Sequence, residues 1–492
     1  MSLDSELEQT AKAIGALELK KSHLLREADE VDLALRIARA KHGRLLNQNA
    51  HMYKLPNEIL GHIFTICQRS REPKPVHVPF EVLASHVCSM WREVATGTPL
   101  LWTSIVVKVR PKQLLAKMVL EWKLSRVRVY LARSGSCPFT TSFDIVGPFQ
   151  MDQILDLVSA HADRWRRLSI SIKNPPAATL EIWQALHSLY APALEHVSIW
   201  LTKLSMGGHV LSDTDCTPPL IFRGGAPSLK FVRLSGIALG CLLPPLGLLE
   251  TLHLSGYPLS YAAFRAMLEG IPNLINLSLH RMHITHRPLE CTPILLPHLR
   301  ALRVCGTPDD EIAYLDPHPH RILRLLRAPA LEALVLKDFD AFDEQVFPTV
   351  HTLTLHACPL SAGEMFRMLR AFPALTTFRL DESLPDILDL LGMPDGVSAP
   401  DTPPWPRLHT LAVTDMESSD VELLCDMVEQ RAELGAPLAR VFLDRRSRVV
   451  LRKKDRLAWL QKTLQVERHD GMYAWPVGLG YEDNDEGFWD PS

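Results

Sequence analysis

Pro272-Asn273-Leu274-Ile275-Asn276-Leu277-Ser278-Leu279 returns 25 residues later as Pro297-His298-Leu299-Arg300-Ala301-Leu302-Arg303-Val304. The shared form is Leu-x-x-Leu-x-Leu with a proline two residues ahead. Its last two apolar positions lie two residues apart, so on an extended chain they point to one side and their neighbours to the other. The proline ends the preceding element and enforces an extended entry. Working outward, the same form reads Leu124/Val127/Val129, Trp165/Leu168/Ile170, Leu194/Val197/Ile199, Leu229/Val232/Leu234 and Leu249/Leu252/Leu254. After the two quoted copies it continues at Leu331/Leu334/Leu336, Val350/Leu353/Leu355, Leu375/Phe378/Leu380, Leu408/Leu411/Val413 and Leu438/Val441/Leu443. Helical segments are expected between strands, at 179–190, 260–269, 320–327, 361–371 and 419–433. Ser361-x-x-Glu364 and Ser419-x-x-Glu422 have the form of capping boxes, and Gly270 before Pro272 supplies a stop. One strand-plus-helix unit cannot bury its own apolar side, but stacked units can.

These repeats resemble a leucine-rich-repeat domain of the irregular kind, over roughly 124–444. Unit spacings run from 19 to 41 residues, and only Val350-x-x-Leu353-x-Leu355-x-x-Cys358-x-Leu360 completes the motif with its Asn/Cys position. The resemblance implies an α/β solenoid with parallel strands on a concave face. Side chains pointing away from the core on those strands would then be the target-binding set. Trp200, Arg233, His253, His280, Arg303, Lys337, His356, Arg379 and Asp381 are its large or charged members. Small polar and basic side chains without catalytic pairing suit protein recognition better than chemistry.

Ahead of the repeats, Leu55-Pro56-Asn57-Glu58-Ile59-Leu60 runs on through Ile63-Phe64, Val87-Cys88-Ser89-Met90-Trp91-Arg92 and Pro99-Leu100-Leu101-Trp102. Pro56 suits a first helical turn. Ile59, Leu60, Ile63 and Phe64 form one broad helical face, and Leu83, Val87, Met90, Trp91 and Val94 form another. About 50 residues of short helices cannot bury this surface alone. The segment resembles an F-box, the module that docks on a Skp-family adaptor of a cullin–RING ubiquitin ligase. The stretch 68–79 is longer than the usual turn between the first two helices and resembles the fungal variant. The resemblance implies an adaptor-binding set of Leu55, Pro56, Ile59, Leu60, Ile63, Phe64, Leu83, Val87, Cys88, Trp91, Leu101 and Trp102.

Residues 3–48 hold no proline and two glycines. Written as heptads, the seam carries Leu7, Ile14, Lys21, Ala28, Leu35 and His42 alternating with Thr10, Leu17, Leu24, Val31, Ala38 and Leu45. Nine of these twelve are apolar, which predicts a long helix of coiled-coil character. It either forms a homodimer through 3–48 or is a single amphipathic helix, folded against the following module or left partly solvated. The expected organisation is a helix over 1–50, the F-box-like module over 51–108, the solenoid over 109–444, and a basic capping helix with an acidic, disordered tail over 445–492.

The chain has 492 residues, a formal charge of −3 and 9 cysteines without a C-x-x-C pair. Near-neutral charge gives no reason to expect nucleic acid or membrane as a partner. Scattered cysteines suggest reduced thiols, hence cytoplasm or nucleus. The start is acidic and lacks the apolar run of a signal peptide. His280-x-x-His283-x-x-His286, His318-x-His320 and His356-x-Cys358 lack the convergent geometry or the partners a metal needs, and Asp309-Asp310-Glu311 reads as a solvated loop. No nucleophile elbow, zinc-protease or phosphate-loop motif occurs. Neither a cofactor nor catalysis is therefore expected. The two resemblances imply a ligase substrate receptor that meets an adaptor, through it a cullin, and a target protein still unidentified. The alternative is a scaffold dimerised by its first helix.

Overall fold

The computed structural model describes residues 3–48, 51–69, 78–109, 116–146, 152–173, 178–202, 220–236, 238–256, 258–285, 292–306, 321–342, 344–381, 385–393 and 403–469. The chain divides into two compact units. One comprises Met1–Ser104 with Arg128–Cys137, the other Ile105–Val127 with Pro138–Ser492.

The first unit is helical. Its longest element is α1 (Leu3–Gln48), 46 residues of strong helix formers. Three short helices follow: α2 (Asn57–Arg69), α3 (Phe80–Val87) and α4 (Ser89–Thr96). Cys88, extended between the last two, caps α4 by accepting the Trp91 N–H on its sulfur at 3.4 Å. A 3-10 turn, Pro99–Trp102, begins where Thr98 is held extended before proline. The end of α5 (Ala116–Arg133) completes the unit.

The second unit is built on one sheet of fourteen strands. In chain order they are β1 (Ser104–Val109), β2 (Phe139–Val146), β3 (Trp165–Lys173), β4 (His196–Thr202), β5 (Phe231–Gly236), β6 (Thr251–Ser255) and β7 (Asn276–His280). Then come β8 (Ala301–Cys305), β9 (Ala333–Lys337), β10 (Thr352–His356), β11 (Thr377–Asp381), β12 (Thr410–Val413), β13 (Arg440–Leu443) and β14 (Gln465–Arg468). Spatial order equals chain order, and every pairing from β2 onward is parallel. That is the order of an α/β, solenoid-like fold, in which each unit pairs with its chain neighbours. The register lines up like positions: Leu252, Leu277, Leu302, Leu334, Leu353, Phe378, Leu411 and Val441 form one unbroken column. All are buried, each contributing about 1.5–3 kcal/mol of apolar burial.

Chain reversal after the strands uses a recurring left-handed residue. Gly236, Gly256, Arg281, Asp338 and Ala357 have φ between 47° and 64° at or just after a strand end. Only Gly236 has no alternative, because an added Cβ would lie 2.2 Å from the Leu201 carbonyl oxygen. The crossovers carry helices α6 (Asp152–Ser159), α7 (Ala178–Leu186), α8 (Ala238–Cys241), α9 (Tyr261–Glu269), α10 (Arg321–Arg324), α11 (Ala362–Ala371), α12 (Pro385–Gly392) and α13 (Asp420–Glu433). Ser260 and Ser361 cap α9 and α11 by accepting N–H groups three residues on. Arg431 of α13 is fully buried and donates to the carbonyls of Leu391, Pro404 and Trp405 at 2.8–3.1 Å. Burial lowers its pKa to about 10, so it stays charged near neutrality. After β13 come α14 (Arg445–Lys453) and α15 (Leu457–Thr463).

Several expectations need correction. Leu124, Val127 and Val129 lie in α5, not on a strand. Leu120, Leu124, Val127 and Leu131 recur every three to four residues without a breaker, and that helical period wins. The boundary at 108 falls inside β1, which belongs to the sheet. The region after 444 does more than cap, since β14 continues the sheet beside β13. The helix expected over 320–327 spans only Arg321–Arg324, and Leu326–Arg327 pairs with Ile294–Leu295 instead. Ser419 does not cap α13, because Asp420 accepts the Glu417 N–H at 2.7 Å and takes over the turn. Gly270 does end α9 as expected, at φ −75°. The tail 470–492 and most of the stretch 68–79 lie outside the described residues.

Candidate partner-binding surfaces

The helical unit sorts its apolar residues into two groups. On α2 successive residues are about 100° apart, so the doublets Ile59-Leu60 and Ile63-Phe64 cannot both face inward. Leu60 and Phe64 do, with Gly61 and Thr65. The Phe64 ring packs on Trp91 at 4.8 Å and on Phe80 at 5.9 Å. Gly61 permits close approach to the residues that follow α4, where an added Cβ would lie 2.9 Å from Thr98 Oγ1. The buried Trp102 donates from Nε1 to the Ala95 carbonyl at 2.7 Å, beneath Tyr130 at 5.1 Å and the Arg133 guanidinium at 4.3 Å. Glu81 is buried too, accepting from the Tyr130 hydroxyl and from Gln68 Nε2 at 3.1 Å. Gln68 also donates to the Leu101 carbonyl at 2.9 Å.

Opposite that core, α2 turns Ile59, Ile63 and Ile66 to water, at 50%, 36% and 50% exposed. Their i, i+4, i+7 spacing puts them on one stripe. Leu83 and Val87 of α3 and Leu100 of the 3-10 turn are exposed as well. Leu60, Phe64, Leu101 and Trp102 belong to the interior, which corrects their expected place on a docking surface. Each sits where neighbouring helices close over it. Trp91 and Leu55 are half-buried, Cys88 serves as a cap, and Pro56, Ile59, Ile63, Leu83 and Val87 reach the surface. Ile66 and Leu100 were missed. Ile66 carries a signal in sequence, lying three residues after Ile63.

The sheet has two faces. One carries the leucine columns. The other, the polar face, carries the alternate residues: His196 and Trp200 on β4, Arg233 on β5, His253 on β6, His280 on β7, Arg303 on β8, Lys337 on β9, His356 on β10 and Arg379 on β11. The alternation thus places the expected residues on one face. Asp381 is the last residue of β11, and its side chain lies outside the described residues. Their availability differs from expectation. Arg303 is 1% exposed, and Lys337 and His253 are 4% exposed. These three are corrected from open surface to buried positions. Strands about 4.8 Å apart let long side chains lie flat over small neighbours, as Arg303 does in donating from Nε to Ser278 Oγ at 3.0 Å. Trp200, Arg233, His280, His356 and Arg379 are half-buried, with the Arg233 guanidinium 4.9 Å over the Trp200 ring.

Burial and neighbouring cations act together on the histidines of this face. Burial, then Arg167 and Arg233, pulls His196 down to about 3. Burial, then Arg281, Lys337, Arg303 and Arg233, does the same to His280. His253 is held well below the usual imidazole range by burial and by Arg303, Arg233 and His196. Cys305 rises to about 12 through burial and the neighbouring Asp338 carboxylate, so it is no thiolate nucleophile at neutral pH. All three histidines are neutral there, and the positive field comes from arginine and lysine.

A separate groove of about 610 Å³ runs along the strand entries, lined by Leu248, Ile275, Arg300 and the Lys230–Glu250 ion pair at 3.2 Å. Its hydroxyl, Ser228, donates to the Pro192 carbonyl. Among the described residues no group of three His, Cys, Asp or Glu is arranged to hold a metal, and no helix is long and apolar enough to cross a membrane. His283 falls on a short strand after β7, while His286, His318, His320 and Asp309–Glu311 lie outside the described residues. No protein-family model and no curated protein matches this chain.

Proposed function

We propose that this chain is the substrate-recognition subunit of a Skp–cullin–F-box ubiquitin ligase, working in cytoplasm or nucleus. The single observation that carries the reading is the outward stripe of Ile59, Ile63 and Ile66 on α2, opposite a helix face already filled by Leu60 and Phe64. A short helical unit that completes its own core and still leaves three isoleucines in water presents a surface for another protein. The motifs of this region resemble an F-box, whose partner is a Skp-family adaptor. The sheet unit, similar in its repeats to leucine-rich-repeat domains, would hold a target protein through its polar face. On this reading the chain performs no chemistry. Its contribution is proximity, since tethering a target near a conjugating enzyme raises effective concentration. Pull-down of the tagged full chain with a purified Skp-family adaptor tests the reading: the adaptor is retained, and its absence from the retained fraction refutes it.

A second reading is favoured by α1. Described side chains from Leu7 to His42 are all exposed, the heptad seam among them. A 46-residue helix with that stripe suits pairing with a second copy, which makes a dimeric scaffold independent of any ligase. Light scattering after gel filtration decides it. A dimer mass that reverts to monomer in Leu17→Glu/Leu24→Glu supports the scaffold, and a monomer at micromolar concentration removes it.

A further inference from the structure

We infer that α1 pairs with α1 of a second copy in antiparallel orientation, in the register that sets Lys20 of each copy beside Glu27 of the other. The inference rests on the dimeric reading of this helix and supplies the geometry which that reading leaves open.

The surface comes first. Along the seam, Leu7, Ile14, Leu17, Leu24, Val31 and Leu35 are 43–66% exposed, so an apolar stripe runs over most of a 46-residue helix. Charge then selects the occupant and its direction. The heptad puts Lys20, Glu27 and Lys41 at g positions and Glu18, Asp32 and Arg39 at e positions. These positions flank the seam, and their pairing sets helix orientation. Lys20 is exposed. Glu27 is 58% exposed beside His23 at 3.5 Å on its own helix, which leaves its carboxylate open to a further neighbour.

A parallel pair in register joins each g to the e of the next heptad. Glu27 then meets Asp32, like charge on like, twice by symmetry. Lys21 in the seam faces Lys21, and none of the flanking pairs joins opposite charges. An antiparallel pair instead joins g to g and e to e. With Lys21 level with Leu24 of the second copy, Ile14 faces Val31, Leu17 faces Ala28 and Leu7 faces Ala38. Lys20 now lies beside Glu27, again twice, and no flanking pair brings like charges together. Lys21 faces leucine rather than its own kind, and its ammonium can reach water past the seam. Sliding by one heptad either way ends the match, because Glu27 meets Glu27 or Lys20 meets Lys20.

The pairing has a consequence for the rest of the chain. A helix rises about 1.5 Å per residue, so in this register the two Gln48 ends lie roughly 75 Å apart. A parallel pair would set them side by side. The segments that follow α1 therefore depart from opposite ends of the pair.

The experiment uses the full chain and reads the dimer dissociation constant by sedimentation equilibrium at low salt, where charge pairs are least screened. Glu27→Lys sets lysine beside Lys20 and should weaken the dimer by about fivefold or more, and Lys20→Glu should do the same. The double swap Lys20→Glu/Glu27→Lys rebuilds the pair and should return the constant to within about twofold of wild type, the recovery that marks a direct contact. A parallel dimer gives a different pattern. There Glu27→Lys relieves the clash with Asp32 and tightens the dimer, while Lys20→Glu, beside Leu25, leaves it unchanged. Tightening by Glu27→Lys, or no recovery in the double swap, overturns the antiparallel register while the dimeric reading stands. A wild-type monomer overturns both.

Discussion

The two units break the usual rule of burial in opposite directions. The helical unit leaves isoleucines in water on α2, while the sheet unit takes an arginine, a lysine and a histidine out of it on β6, β8 and β9. Neither departure arises from a poorly formed core. Leu60, Phe64 and Trp102 are sealed in the first unit and the leucine columns in the second. The exposed isoleucines leave apolar surface in water, whereas the buried polar groups lie within the chain, Arg303 donating to Ser278 Oγ. The contrast is therefore between a surface left uncovered and one the chain covers itself.

The comparison breaks most readily within α2. Leu60→Ala should lower stability by about 2–5 kcal/mol through cavity formation, read as a lower midpoint in urea unfolding. Ile63→Asp, three residues on, should leave that midpoint unchanged, because its side chain already meets water. Equal effects of the two would show that the outward stripe belongs to a core. On the sheet side, Arg431→Met should cost about 3 kcal/mol, since it leaves the carbonyls of Leu391, Pro404 and Trp405 without their donor. Thermal unfolding of the second unit reads it.

Acid sharpens the contrast further. The pKa values of His196, His253 and His280 are lowered in the folded state, so their contribution is intact above about 6.5, the unfolded value. It is lost as pH falls from there, towards about 3 for His196 and His280. Each removes up to about 1.4 kcal/mol per pH unit within that window. Unfolding of the sheet unit followed from pH 7 to 4 should show this loss, and a flat profile would contradict the burial of the three rings. The smallest loss of stability among the buried positions is expected from Gly61→Ala, about 1 kcal/mol, because the new methyl meets the movable Thr98 side chain rather than backbone. Its check is the urea midpoint.

Much of the sheet was legible because Leu-x-x-Leu-x-Leu fixes register as well as strand existence. A one-residue slip would have turned every leucine outward. The repeats from Trp165/Leu168/Ile170 onward lie on strands in the expected phase. β2 was missed although Phe139, Thr141, Phe143 and Ile145 alternate, since it lacks the leucine template. β14, Gln465-Val466-Glu467-Arg468, carries a single apolar residue and is set by pairing with β13 alone. On α2 the doublets Ile59-Leu60 and Ile63-Phe64 fit either rotation of the helix, and only packing against α4 chose between them. Which polar-face residues lie buried depends on neighbours across strands 19 to 32 residues away in sequence, as Arg303 and Lys337 show.

The most direct measurement is isothermal titration of a Skp-family adaptor into the full chain and into Ile59→Asp/Ile63→Asp. The account predicts stoichiometric binding to the wild type and at least 100-fold weaker binding to the variant, with identical circular dichroism. Equal affinity for both chains, or no heat of binding with either, would contradict it.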